Sequence, residues 1–163
     1  MRPRKGILLP VAALLTAAML AMQPLQATPI RGAWRIVRTS LAAGAQPDFR
    51  DYTQAGLILF TARHYSLMYV EGNDARKEFA NPALPTEAEK LGAFDSFVGH
   101  SGTYVIEDSI VAMNVEVAKV PNMTGPAFRS TFARFVYQIR GDTLFLTRRT
   151  PRGAFTMQLI RAE

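Results

Sequence analysis

Beyond about residue 28 the apolar positions fall mostly at two-residue spacing, in short runs separated by turn-forming residues, the pattern of half-buried strands. Residues 33–41 alternate, and residues 57–62 and 64–70 are rich in β-branched and aromatic side chains, with Ala62-Arg63 as a turn or bulge between them. Glu71-Gly72-Asn73-Asp74 closes that unit with turn chemistry, and Asn81-Pro82-Ala83-Leu84-Pro85 cannot be helical throughout. Thr86 then predicts one helix. Its hydroxyl is an N-cap, Glu87 and Glu89 stand at the positive helix end, and Leu91, Phe94, Phe97 and Val98 recur on one side at three- and four-residue spacing. Such a helix is expected to lie across a barrel or to lid one end.

The strand pattern resumes over residues 103–107, 110–118, 128–140, 143–148 and 155–161, with Gly141-Asp142 as a hairpin turn. In the last segment Phe155, Met157 and Leu159 alternate with Thr156 and Gln158, which carries Arg161 onto the apolar face. A cation there must be paired or stacked, and the face of Trp34, the only tryptophan, is the expected place. Gly32-Ala33-Trp34 fits a barrel start, because glycine allows a tight entry and the aromatic plugs the end where strands converge. The expected fold class is all-β and mainly antiparallel: an up-and-down barrel of about eight strands with one short helix covering an end, closed by Trp34 and Arg161.

The front of the chain reads differently. Arg2, Arg4 and Lys5 precede an uncharged, mostly apolar stretch over residues 7–22, and Leu25-Gln26-Ala27 offers a small-residue cleavage site. We read residues 1–27 as a signal peptide and residues 28–163 as the barrel domain, periplasmic or secreted. The apolar stretch contains Pro10 and falls short of the roughly twenty residues that span a bilayer, so no stable membrane insertion is expected after cleavage. Removing the leader takes away three of nineteen basic residues and none of the thirteen acidic ones, leaving a mild excess of three. That charge, without a basic run interleaved with aromatics, argues against nucleic acid as a partner. With no cysteine in the chain, stability must come from an apolar core.

Five segments, Gly32-Ala33-Trp34, Phe60-Thr61-Ala62-Arg63-His64-Tyr65-Ser66-Leu67-Met68, Ser101-Gly102-Thr103-Tyr104, Val120-Pro121-Asn122-Met123 and Gly141-Asp142-Thr143-Leu144-Phe145-Leu146, together resemble the bacterial lipocalin-like domain proteins. The resemblance covers essentially the whole chain after the leader. It implies a calycin-type antiparallel barrel, commonly exported, in a family whose members mostly lack an assigned activity. More distant barrel relatives bind hydrophobic small molecules, and some lipocalin-like proteins catalyse cyclisation or isomerisation in a buried cavity. Other branches carry a histidine pair on the strand where Met113 and Asn114 stand here, and that departure weakens an inherited acid/base role.

The candidate ligand-binding residues are His64, Tyr65, Met68, Tyr104, Met113, Arg134 and Tyr137. A histidine beside a phenol suits a polar ligand head or a proton transfer, although neighbours on a strand point to opposite faces, so a flat strand presents only one of His64 and Tyr65 to the interior. Arg134 shares a face with Phe132 and Val136 and can offer charge to a carboxylate at the mouth; a surface ion pair explains it equally well. Methionines such as Met68, Met113 and Met157 adapt to irregular apolar ligands. His64 and His100 are far apart and no cysteine or carboxylate cluster joins either, so no metal and no cofactor are expected. Nucleophile-elbow and phosphate-loop spacings are absent from the sequence as well. The expected function is binding of a small, largely hydrophobic molecule with one polar end in the barrel interior. The alternatives are a filled barrel acting as a structural or interaction domain, and a cofactor-free isomerase or cyclase using His64 or Tyr104.

Overall fold

The alternating segments form strands that pair antiparallel with their neighbours: β1 (Gly32–Ala42), β2 (Arg50–Asp51), β3 (Gly56–Phe60), β4 (His64–Val70), β5 (Phe97–Glu107), β6 (Ile110–Ala118), β7 (Arg134–Arg140), β8 (Thr143–Thr150) and β9 (Gly153–Arg161). The structure is a computed structural model that describes residues 29–42, 47–72 and 74–163; the leader read in residues 1–27 lies outside the described residues. One edge of β1 pairs with β3 from Gly32 to Arg35, and the other pairs with β9 from Trp34 to Ala42. Eight strands therefore close into a barrel, and the two-residue β2 is an addition alongside β1 at Arg38 and Thr39. A bulge between Ile36 and Arg38 bends β1, the local kink that closure needs.

The short β3–β4, β5–β6 and β7–β8 hairpins gather at one end, the floor, and the long connections β1–β3, β4–β5 and β6–β7 gather at the other, the mouth, together with the short β8–β9 hairpin. At the floor Gly32 has φ +125°, and a Cβ there would stand 2.7 Å from an Arg161 guanidinium nitrogen, so glycine serves both the backbone and the space. The Arg161 guanidinium lies 4.2 Å from the Trp34 ring centroid and donates to the carbonyls of Arg31 and Pro29. Trp34 is fully buried and its indole N–H donates to the Ile30 carbonyl at 2.7 Å. Ile36, Ile58, Phe60, Leu144, Leu146 and Leu159 fill the space above it. Burying each such side chain contributes roughly 1.5–3 kcal/mol, which is how a chain without cysteine holds a barrel shut.

Two sequence expectations change in the structure. The predicted helix, α1 (Glu87–Asp95), has the expected capping box, in which the Thr86 hydroxyl accepts from the Glu89 N–H and the Glu89 carboxylate accepts from the Thr86 N–H at 2.7 Å. It stops before Phe97 and Val98, however, because these pair with Val70 and Tyr69 and open β5 six residues ahead of the expected start. The second change lies in residues 128–140, expected as one strand. Pro126 instead starts a short helix, α2 (Pro126–Thr131), its fixed φ suiting the first turn, and β7 begins only at Arg134. A 3-10 turn, Pro121–Thr124, precedes α2. Consequently β6 and β7 pair only at Ile110/Val136, Val111/Phe135 and Ala112/Arg134, and the seam above is closed by α2.

Candidate functional site

Strand parity decides which polar groups enter the barrel. On β4 the inner row is Tyr65, Leu67 and Tyr69; on β5 it includes Val98, His100 and Tyr104; on β8 it runs Leu144, Leu146 and Arg148. Above the filled floor these rows leave a cavity of about 100 Å³. Its walls are Leu67, Val98 and Met157 with Tyr69, His100 and Arg148, and its ceiling is Met123, Phe128 and Phe132 from the 3-10 turn and α2. An open depression of about 340 Å³ at the mouth shares Tyr69, Glu71 and Phe155 with it.

The ceiling is held by the seam it covers. The Arg129 guanidinium donates to the Val115 carbonyl at 3.0 Å, and the Met113 N–H donates to the Ala133 carbonyl at 2.8 Å, so α2 and the residues that follow it satisfy groups on β6 that β7 does not reach. Phe128 and Phe132, one helical turn apart, stack at 5.7 Å, and Phe128 meets the His100 ring edge-on at 6.2 Å.

Beneath that ceiling the Tyr65 hydroxyl lies 2.8 Å from His100 Nδ1. Burial, with help from the Glu116 carboxylate, pushes the phenol upward, and burial followed by the charge of Arg148 pulls His100 down to about 4. Near neutral pH the phenol therefore donates and the imidazole accepts at Nδ1, which assigns the ring proton to Nε2. Burial, then the Glu71 carboxylate, raises Tyr69 to about 12. Arg148 lies among the rings of Phe132, Phe135 and Phe155 at 5.5, 5.7 and 5.5 Å. Its Nη1 reaches the Phe132 carbonyl at 3.5 Å, and its buried Nε has no hydrogen-bond partner among the described residues.

The sequence candidates scatter over this frame. Tyr65 is buried and meets the cavity through His100. Tyr104 is buried nearer the floor, where its hydroxyl donates to the Thr61 carbonyl at 2.8 Å and its ring meets Phe60 edge-on. Met113 is part of the core and Tyr137 packs half-buried against it. His64, Met68 and Arg134 point away from the interior: His64 and Met68 alternate with the inner row of β4, and Arg134 pairs with Glu107 at 2.6 Å on the outer surface. No interior ligand reaches those three side chains. His100, Arg148 and Tyr69 stand in their place, and their signal was parity: each is a polar residue continuing an apolar every-second-residue row.

A larger open groove of about 510 Å³ lies between residues 70–79 and α1. Its charged side chains are of both signs, and Glu89 there already accepts from the backbone N–H groups of Ala80 and Thr86. Among the described residues no group of three or more His, Cys, Asp or Glu side chains gathers to hold a metal. A family profile described as a lipocalin-like domain matches residues 31–162. No curated protein and no solved structure matches the chain.

Proposed function

Because the chain belongs to the lipocalin-like domain family, we propose that it is an exported binding barrel that takes a small, largely apolar molecule with one polar end into the cavity under α2. The observation that carries this reading is the division of the interior, tightly filled below and open above, where Tyr69, His100 and Arg148 line the open part. The enclosed volume of about 100 Å³ suits a fragment the size of one ring. Drug-sized ligands need roughly 300 Å³ or more, so a longer molecule would displace the ceiling side chains Met123 and Phe128 or extend toward Tyr69 and Phe155 at the mouth. The periplasmic or secreted setting rests on the leader.

Proton-transfer catalysis is the weaker reading. A histidine drawn down to about 4 is a weak base, and a phenol pushed above its ordinary value is a weak acid, so the Tyr65–His100 pair is suited to holding a ligand group in place. Native mass spectrometry of the protein recovered from its own compartment, followed by denaturing extraction, tests the proposal. A reproducible small-molecule mass excess is expected; its absence, with no thermal shift across fatty acids, isoprenoids and aromatic acids, would favour a barrel that works through its surface.

A further inference from the structure

Arg148 is a cation placed where a folded chain ordinarily has none. It continues the inner row of Leu144 and Leu146, lines the cavity, and is flanked by three phenylalanine rings within 5.7 Å that hold the guanidinium plane. The ion pairs among the described residues are Arg38–Asp51, Lys90–Glu87 and Arg134–Glu107, so no carboxylate lies within 4.0 Å of Arg148. Glu71, the acidic residue lining the same cavity, is exposed on its rim. Arg148 is half-buried, its charge is offset among the described residues only by the Glu71 carboxylate at the rim and the Tyr69 phenol, and a guanidinium offers a planar fork matched to a carboxylate that makes direct contact.

Resting on the binding proposal above, we propose that the polar end of the ligand is a carboxylate, received by the Arg148 guanidinium, with the rest of the molecule against Phe128, Phe132, Phe155 and Met157. The guanidinium supplies the donors, its buried Nε lacking a hydrogen-bond partner among the described residues, and the His100 ring edge forms the neutral side of the pocket. A phosphate fits less well. Its additional oxygens and second charge call for further donors, whereas the surrounding walls are mainly phenyl and aliphatic and Glu71 repels a dianion.

Matched probes decide it. Isothermal titration compares 3-phenylpropanoate with 3-phenylpropan-1-ol, which share shape and differ in the head. The acid is expected to bind about tenfold more tightly, the step a charge-assisted contact gives. Arg148→Gln should remove that preference and leave the alcohol within about threefold of its original affinity, showing that the pocket is intact. Should Arg148→Gln fail to fold, Glu71→Gln at the exposed rim gives a second reading, with acid affinity rising about threefold and alcohol affinity unchanged. Equal binding of acid and alcohol by the unaltered protein, a preference that survives Arg148→Gln, or tighter binding of phenyl phosphate would each overturn the carboxylate assignment. Binding of neither probe nor of octanoate and octanol would instead overturn the interior-binding proposal on which it rests.

Discussion

Acidification should destabilise this fold through one side chain, His100. Buried, it accepts from Tyr65, faces Phe128, and shares the cavity with Arg148, while Glu116 and Arg129 act on the Tyr65 phenol; the imidazolium would lose its acceptor nitrogen and face a second cation. Its ordinary pKa of 6.5 is depressed to about 4 in the folded state. Above pH 6.5 both states are neutral and the residue contributes no pH dependence; as pH falls below 6.5 the unfolded chain takes up the proton first, so folding loses free energy until the folded pKa is passed. At about 1.4 kcal/mol per unit the loss is roughly 2 kcal/mol at pH 5 and roughly 3 kcal/mol below pH 4. Urea unfolding of the wild type and His100→Gln at pH 7.5, 6.0 and 5.0 isolates this term, because glutamine keeps an acceptor for Tyr65 without titrating. The stability gap between the two is expected to move by about 2 kcal/mol in favour of the variant between pH 7.5 and 5.0. A gap constant to about 0.5 kcal/mol across that range would refute the buried neutral imidazole.

Gly102 lies where β6 crosses close to β5: a Cβ would stand 2.0 Å from the Asn114 carbonyl oxygen, so Gly102→Ala should cost at least about 3 kcal/mol in urea unfolding. Gly92→Ala, in open space inside α1, should raise stability by up to about 1 kcal/mol in the same assay. At the floor, Arg161→Ala removes the stack on Trp34 and two carbonyl contacts and should cost about 2 kcal/mol, with Arg161→Lys intermediate because an ammonium lacks the planar fork; equal stability of lysine and arginine would argue against the stack.

The barrel was legible because its signal is local. Alternation in β9 carries Arg161 to the inner row, and Gly32 and Trp34 mark the floor from three neighbouring residues. Parity also carried Arg148 and His100, yet the chemistry drew attention to His64, whose pairing with Tyr65 in sequence is separation in space. The ceiling was not legible from alternation alone. Phe128 and Phe132 satisfy a two-residue and a four-residue spacing equally, and what decides between them is Pro126 together with the short β6–β7 ladder, a tertiary fact. Phe97 and Val98 were ambiguous for the same reason, and pairing with β4 settled them as strand.

The upper interior is the proposed ligand site. A titration of isotope-labelled protein with 3-phenylpropanoate, followed by amide and methyl chemical shifts, tests it most directly. Saturable shifts are predicted at Leu67, Val98, His100, Arg148, Met157 and along α2, with the floor around Trp34 and Leu144 unmoved. Shifts confined to the outer groove between residues 70–79 and α1, or no saturable shifts at all, would contradict the account.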